Sequence, residues 1–499
     1  MTFCALVSAG LAACAARQSH PIAVTPDGRL RGAAANGRVA WLGIPYAAPP
    51  VGVLRWRPPA PVKPWPGVRD AVKAGAACPQ PGGEGRGSSE DCLFLDVYRP
   101  ADSSRNLPVL VYIHGGSFVV GSGDDFDPTR LVTGAHMIVV TLNYRLGALG
   151  FLTLPGLDGA GPTGGDFGLE DQQAALRWVQ RSIGAFGGDP RRVTIDGQSA
   201  GGISVCDLLV SPAARGLFSA AIDQSGPCTG PDAALPTAAG AAAAGGRFAA
   251  ALGCPVPATA PACLRRAPVS SLVNGPAVVG GGPVPLPWRP VVDGTILPAQ
   301  PEALLAASKA AAVPVLNGSN LDDGALFVPG IATPARYHSW LQGLFGSFAT
   351  AVAQHYPVAP HADGAAVRAM AGAVVTDAGF ACPAATADHL LAARPSGRVW
   401  GYEFADTRAG PLGAYHSAEL GYLFTSVAGR APLPASTAAL SAAMVRAWGS
   451  VATAGTPGIG WPAATTIDTP VERLAAGGPR PDTTFESAHN CTFWATSGR

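Results

Sequence analysis

The stretch "TIDGQSAGG", residues 194–202, sets Ser199 between Gly197 and Gly201 directly behind a short β-branched run. Taken alone, G-x-S-x-G is permissive: it describes an exposed serine in a glycine-rich turn as well as a reactive one. Its surroundings decide. "GGDPRRVTIDGQSAGGISVCDLLV" (187–210) reads as turn, strand, tight turn and helix, the context in which a serine is held on a strained turn above a sheet edge. Side chains at 197 and 201 would collide there with neighbouring backbone, which accounts for both glycines. The N-terminus of the following helix favours negative charge developing beside the hydroxyl.

Working outward, "LPVLVYIHGGSF" (107–118) and "HMIVVTLNYRLG" (136–147) are buried apolar strands, the first running into paired glycines. "LEDQQAALRWVQRSIGAF" (169–186) has helical spacing, and "SAAIDQS" (219–225) is a further strand. "AAVPVLNGSNLDDG" (311–324) and "GRVWGYEF" (397–404) return to strands, and "TAALSAAMVRAWGSVATAG" (437–455) is a late helix stopped by Gly455 and Pro457. Ahead of all these, residues 26–50 read as short antiparallel strands broken by Asp-Gly and Asn-Gly turns. Strands alternating with helices predict an α/β fold: a mostly parallel central sheet covered on both faces. The alanine-, glycine- and proline-rich stretch from about 230 to 310 reads as an insertion over the sheet.

Composition narrows the function. The 499 residues carry a formal net charge of +1 and only 13% charged side chains, so nothing supports nucleic-acid binding. No long apolar run beyond the N-terminus predicts a membrane-spanning helix. "MTFCALVSAGLAACAARQ" (1–18) resembles a bacterial export signal, and "LAAC" (11–14) a lipobox with Cys14 as the lipidated residue. No Lys or Arg precedes Arg17, a departure from the usual positive start. Export, either secreted or lipid-anchored at the outer face of the cell membrane, is the expectation. Residues 1–16 are assigned to the signal and 17–499 to a single domain. Beyond Cys4 and Cys14, eight cysteines remain at 78, 92, 206, 228, 254, 263, 382 and 491. An even number outside the cytosol invites pairing, and Cys78–Cys92 and Cys254–Cys263 are close pairs. No C-x₂-C spacing suggests a metal site.

An alcohol is a poor nucleophile without a base, so Ser199 requires a histidine, an orienting acid and backbone donors for an oxyanion. The loop "IHGGSF" (113–118) follows an earlier strand, the place expected for such donors.

At this point the chain resembles the type-B carboxylesterase/lipase family. "SEDCLFLDVYRP" (89–100), "NYRLGALGFL" (143–152), "FGGDPRRVTIDGQSAGG" (186–202), "RGLFSAAIDQSG" (215–226), "VVDGTILP" (291–298), "GAYHSAELGYLF" (413–424), "AWGSVATAGTP" (447–457) and "CTFW" (491–494) carry the likeness over nearly the whole length. It implies an α/β-hydrolase fold with an insertion-rich cap part about 230–410. It implies Ser199 as acyl-forming nucleophile, His416 as general base, and the N–H groups of Gly116, Ser117 and Ala200 as the oxyanion hole. His389 and His489 read as structural or exposed. The acid falls in "NLDDG" (320–324), where the family usually places glutamate; Asp323 takes the position, with Asp322 as its neighbouring alternative. The resemblance also matches Cys78–Cys92, Cys254–Cys263 and Cys382–Cys491 to family bridges, leaving Cys206–Cys228 by counting.

Three departures bear on specificity. Ser117 stands where many members have a third glycine, and Gln198 replaces the glutamate common beside the nucleophile. The 78–92 loop lacks the tryptophan that cholinesterases set against a quaternary ammonium. The expected function is an exported serine esterase acting on small to medium carboxylic esters, with no metal or organic cofactor. Its alternatives are a lipase, an amidase or carbamate hydrolase, an acyl transferase to an alcohol, and a non-catalytic binding protein of the same fold.

Overall fold

The computed structural model describes residues 21–83, 87–157, 164–276, 284, 286–394 and 397–496. The signal and lipobox expectation for residues 1–16, including Cys14, lies outside them. Eleven strands form the central sheet. In chain order they are β1 (Ala33–Ala35), β2 (Arg38–Pro45), β3 (Phe94–Pro100), β4 (Leu107–Ile113), β5 (Ile138–Leu142), β6 (Gly188–Gln198), β7 (Ala220–Gln224), β8 (Val315–Asn320), β9 (Val399–Phe404), β10 (Val471–Ala475) and β11 (Gly478–Asp482). Across the sheet the order is β11-β10-β9-β8-β7-β6-β4-β5-β3-β2-β1. The seven strands from β10 to β5 run parallel, and antiparallel pairs close both edges.

The uninterrupted apolar runs follow from this layering. In β4, Val109, Val111 and Ile113 enter one core while Leu110 and Tyr112 enter the other, because successive side chains point to opposite faces. The first face is covered by α1 (Phe167–Ser182) and α2 (Ala200–Val210), the second by α3 (Ala438–Ala454). In α3, Leu440, Met444, Trp448 and Val451 recur at helical spacing to form its buried stripe. Gly455 ends that helix in the left-handed conformation (φ 66°), donating its N–H to Val451 O at 2.9 Å.

The insertion-rich span of about 230–410 consists of two helical sets separated by β8. Helices Ala238–Ala251, Ala260–Arg265, Val269–Val273 and Pro301–Ala306 lie between β7 and β8, and a second set from Pro334 to Ala392 lies between β8 and β9. The alanine-rich run is an ordered helix: the Thr237 side chain accepts the Gly240 N–H, so the polar residue ahead of the alanines caps it. The chain from Gly364 to Ala392 is continuously helical and apolar enough to cross a membrane by length and composition, which amends the expectation of no such helix. Two thirds of its apolar window is buried inside the protein, as in a core helix.

The eight cysteines form four disulfides: Cys78–Cys92, Cys206–Cys228, Cys254–Cys263 and Cys382–Cys491. The last ties the C-terminal segment to the second insertion, beside a buried charged knot. His489 Nδ1 lies 2.6 Å from Asp377 Oδ1 and its Nε2 lies 2.9 Å from Glu403 Oε1. Burial would push this imidazole down, but the hydrogen bonds and charges of both carboxylates outweigh it and hold it up at about 9. A raised histidine stabilises the fold fully below its ordinary value near 6.5, and that stabilisation is lost as pH rises through about 9. We expect the melting temperature to fall between pH 6.5 and 9, with up to roughly 3 kcal/mol at stake. In His489→Gln the decline should be flattened and the protein less stable at pH 6. Thermal unfolding of both proteins across that range checks it; equal slopes refute the assignment.

Candidate active site

The site sits at the C-terminal ends of the parallel strands, where β6, β7 and β8 deliver their last residues side by side. Ser199 joins β6 to α2 at φ 59° and ψ −123°, a conformation that strains any residue bearing a Cβ, at a cost of about 1–3 kcal/mol. The turn is held by Ser199 N–H to Gln224 O (2.9 Å) and Ile203 N–H to Ser199 O (2.9 Å). The flanking glycines are compulsory. A Cβ on Gly201 would stand 2.0 Å from the Ile113 carbonyl, and one on Gly197 would stand 2.3 Å from the Gly201 carbonyl. A Cβ on Gly115 would meet Gln198 O at 2.7 Å, so the glycine loop also lies directly against the serine turn.

That loop turns through three successive left-handed residues: Gly116 (φ 102°), Ser117 (φ 55°) and Phe118 (φ 59°). Gly116 O accepts from the N–H groups of Val119 and Val120, and Phe118 O accepts from Gly147 N–H at 2.7 Å. The N–H groups of Gly116 and Ser117 find no acceptor among the described residues. As first residue of α2, Ala200 likewise has no intrahelical acceptor for its N–H. Two neighbours brace the loop from behind. His114 stacks on Tyr144 at 4.5 Å, with its Nδ1 2.8 Å from Gly115 O; burial pushes its imidazole down to about 4, so it is neutral. Gln80, within the Cys78–Cys92 loop, exchanges two 2.9 Å hydrogen bonds with the backbone of Gly121.

His416 and Asp323 meet across 93 residues, Nδ1 to Oδ1 at 2.8 Å, both buried. The other carboxylate oxygen, Oδ2, accepts from Asn320 N–H (2.7 Å) and Ser225 Oγ (3.0 Å). Asp322 points elsewhere: its Oδ2 accepts the Ala414 N–H at 2.8 Å and its own N–H goes to Ala414 O, stitching the acid loop to the histidine loop. The rings of Phe327 and Phe380 flank His416 at 5.2 and 5.0 Å between centroids. Behind His416, burial raises the Glu419 carboxyl to about 7, against the pull of the Asn320 amide that bonds it.

Two participants escaped the sequence reading. Ser225 closes β7 with a positive φ of 51° and supports Asp323. The signal for it was a polar residue at the C-terminal end of a sheet strand, adjacent in space to the acid's strand. Gln198 stood out in the sequence only as a replacement for the glutamate common beside the nucleophile, yet its Nε2 lies 3.2 Å from His416 Nε2. His389, by contrast, lies beside Glu486 at 3.0 Å, and His489 in the knot described above. Among the described residues one group offers three metal-ligating side chains together, Cys206, Asp223 and Cys228, but its two sulfurs are bonded to each other.

A family model described as "Carboxylesterase family" matches residues 19–494. The para-nitrobenzyl esterase of Bacillus subtilis is 35% identical over 477 residues, covering 89% of this chain and 93% of the relative. The fumonisin B1 esterase of Sphingopyxis macrogoltabida is 36% identical over 411 residues, 78% of this chain and 72% of the relative. Carboxylesterase 1D of Mus musculus is 37% identical over 361 residues, 65% and 63%.

Proposed function

The chain belongs to the carboxylesterase family and is an ester-hydrolysing enzyme; we propose that it cleaves small to medium carboxylic esters through Ser199, His416 and Asp323. The observation that carries this reading is the 2.8 Å bond from His416 to Asp323, which leaves the far ring nitrogen facing Gln198, the residue that precedes Ser199 on the elbow. Asp323 accepts three hydrogen bonds and offers none, so it fixes the proton on His416 Nδ1 and leaves Nε2 as a lone pair able to take a proton.

In the first step Ser199 Oγ attacks the ester carbonyl carbon as His416 Nε2 takes the hydroxyl proton. The carbonyl oxygen becomes an oxyanion received by the N–H groups of Gly116, Ser117 and Ala200, whose free donors suit that role. Collapse expels the alcohol, which leaves with the proton returned by His416. Water activated by the same nitrogen then releases the acid and restores the serine.

A neutral Gln198 and a 78–92 loop without tryptophan favour uncharged over cationic alcohols. Four disulfides suit an oxidising compartment, which supports export and release from the cytosol. The test is hydrolysis of p-nitrophenyl esters from acetate to palmitate by protein with its disulfides formed, beside emulsified long-chain triglyceride. We expect turnover of the short to medium esters without interfacial activation. Preference for emulsified triglyceride would move the reading to a lipase.

A further inference from the structure

The base of the proposed triad is not bonded to its serine. Ser199 Oγ makes no hydrogen bond among the described residues, while His416 Nε2 is met by the Gln198 carboxamide at 3.2 Å. Which atom of the carboxamide donates is settled by the chemistry of the other side of the ring. Asp323 already accepts from Asn320 and Ser225, and it binds His416 Nδ1 as a carboxylate. Nδ1 therefore carries the ring proton, and Nε2 presents its single lone pair. A carbonyl oxygen turned toward it would set two lone pairs against each other, so Gln198 donates an N–H.

One lone pair cannot accept fully from two donors at once. We propose that Gln198 is a positioning residue that caps the general base in the resting enzyme, so that Ser199 must displace the Gln198 N–H before it can be deprotonated. The proposal rests on the triad reading above. Gln198 and His416 are both buried, so breaking their hydrogen bond leaves a donor and an acceptor to be satisfied again by the serine hydroxyl and by the turned carboxamide. The cap opposes the reaction twice. It competes with the serine hydroxyl for the lone pair, and once His416 is an imidazolium its Nε2–H faces the same N–H donor until the carboxamide turns over. A carboxylate at 198 would act in the opposite sense, favouring the charged ring.

The other groups that face His416 are few. Asp323 reaches it from the turn after β8, and Glu419 acts on it from its own segment. Arg430 binds Ser417 next to it, and the remaining flanks are the uncharged rings of Phe327 and Phe380. Among the described residues none of these groups is hydrogen-bonded to the Gln198 side chain, so an effect of substitution at 198 is expected to report the cap.

The test is the second-order rate of Ser199 phosphonylation by a small uncharged fluorophosphonate, from pH 5 to 9, in the wild type, Gln198→Met and Gln198→Glu. Intact-mass and peptide mapping confirm the labelled serine, and unchanged melting temperatures confirm the fold. Gln198→Met, which keeps the length and loses the donor, should label about three- to tenfold faster at pH 7. In Gln198→Glu the acid limb of the profile should move up by about one pH unit. Equal or slower labelling in Gln198→Met, or an unmoved limb in Gln198→Glu, overturns the cap while leaving the triad intact. Failure of the wild type to label at Ser199, or labelling that survives His416→Ala unchanged, overturns the triad reading and the cap with it.

Discussion

Ser199→Ala is expected to lower ester turnover by about 10⁴- to 10⁶-fold, to the level that binding and backbone donors alone sustain. The effect is that large because, in the proposed mechanism, there is no other path to an acyl-enzyme: the base, the acid and the donor loop would all serve this one oxygen. The substitution is also clean. Alanine carries the same Cβ as serine, so the strain at φ 59° is unchanged, and both hydrogen bonds of the turn are made by backbone. The loss should therefore appear in kcat with no fall in melting temperature, together with loss of covalent labelling by a fluorophosphonate. Ser117 and Ser225 lie close by and provide the alternative outcome. Residual turnover within a hundredfold of wild type, with label on either one, would show that the nucleophile had been misassigned.

The readable parts of this site were those whose chemistry constrains neighbouring positions in the chain. A serine on a strained elbow needs small residues two positions either side, and a donor loop needs glycines after a strand; both demands are local, so both leave a local pattern. The clash distances at Gly197 and Gly201 are the structural form of that pattern. Strands β4 and β5 were likewise legible, because burial on both faces leaves an uninterrupted apolar run, while β6 to β9 showed shorter apolar or β-branched stretches bounded by turn and loop residues. What stayed hidden depends on which strands are neighbours. Ser225 reaches Asp323 only because β7 lies beside β8, a pairing between residues 98 apart with no counterpart in local composition. Gln198 meets His416 across 218 residues for the same reason. In the insertions the difficulty was different: alanine and glycine give no periodicity to read, so the stretch 230–310 showed that it was inserted but not which helices it forms.

Asp323→Asn is expected to lower kcat by about 10⁴-fold while leaving the fold and the binding of substrate nearly unchanged. Asparagine is isosteric with aspartate, but one of its two positions must now be an N–H₂ donor. The orientation is set by the neighbours. Asn320 N–H and Ser225 Oγ–H both donate to the site of Oδ2, so the amide oxygen must remain there and the N–H₂ group is turned toward His416. His416 Nδ1 then has to accept, which moves the ring proton to Nε2. In that tautomer the nitrogen facing the elbow has no lone pair for the serine proton, and the site loses its base without losing a side chain. Asp322→Asn supplies the contrast. The Asp322 carboxylate accepts a single backbone N–H, from Ala414, and asparagine can keep that bond through its side-chain carbonyl. Its kcat should stay within a few-fold of wild type, with any effect appearing as a small drop in melting temperature. Steady-state hydrolysis of p-nitrophenyl butyrate by the two variants separates these outcomes. A kcat for Asp323→Asn within tenfold of wild type would mean that His416 is not oriented by this carboxylate, and a larger loss in Asp322→Asn than in Asp323→Asn would exchange the roles of the two residues.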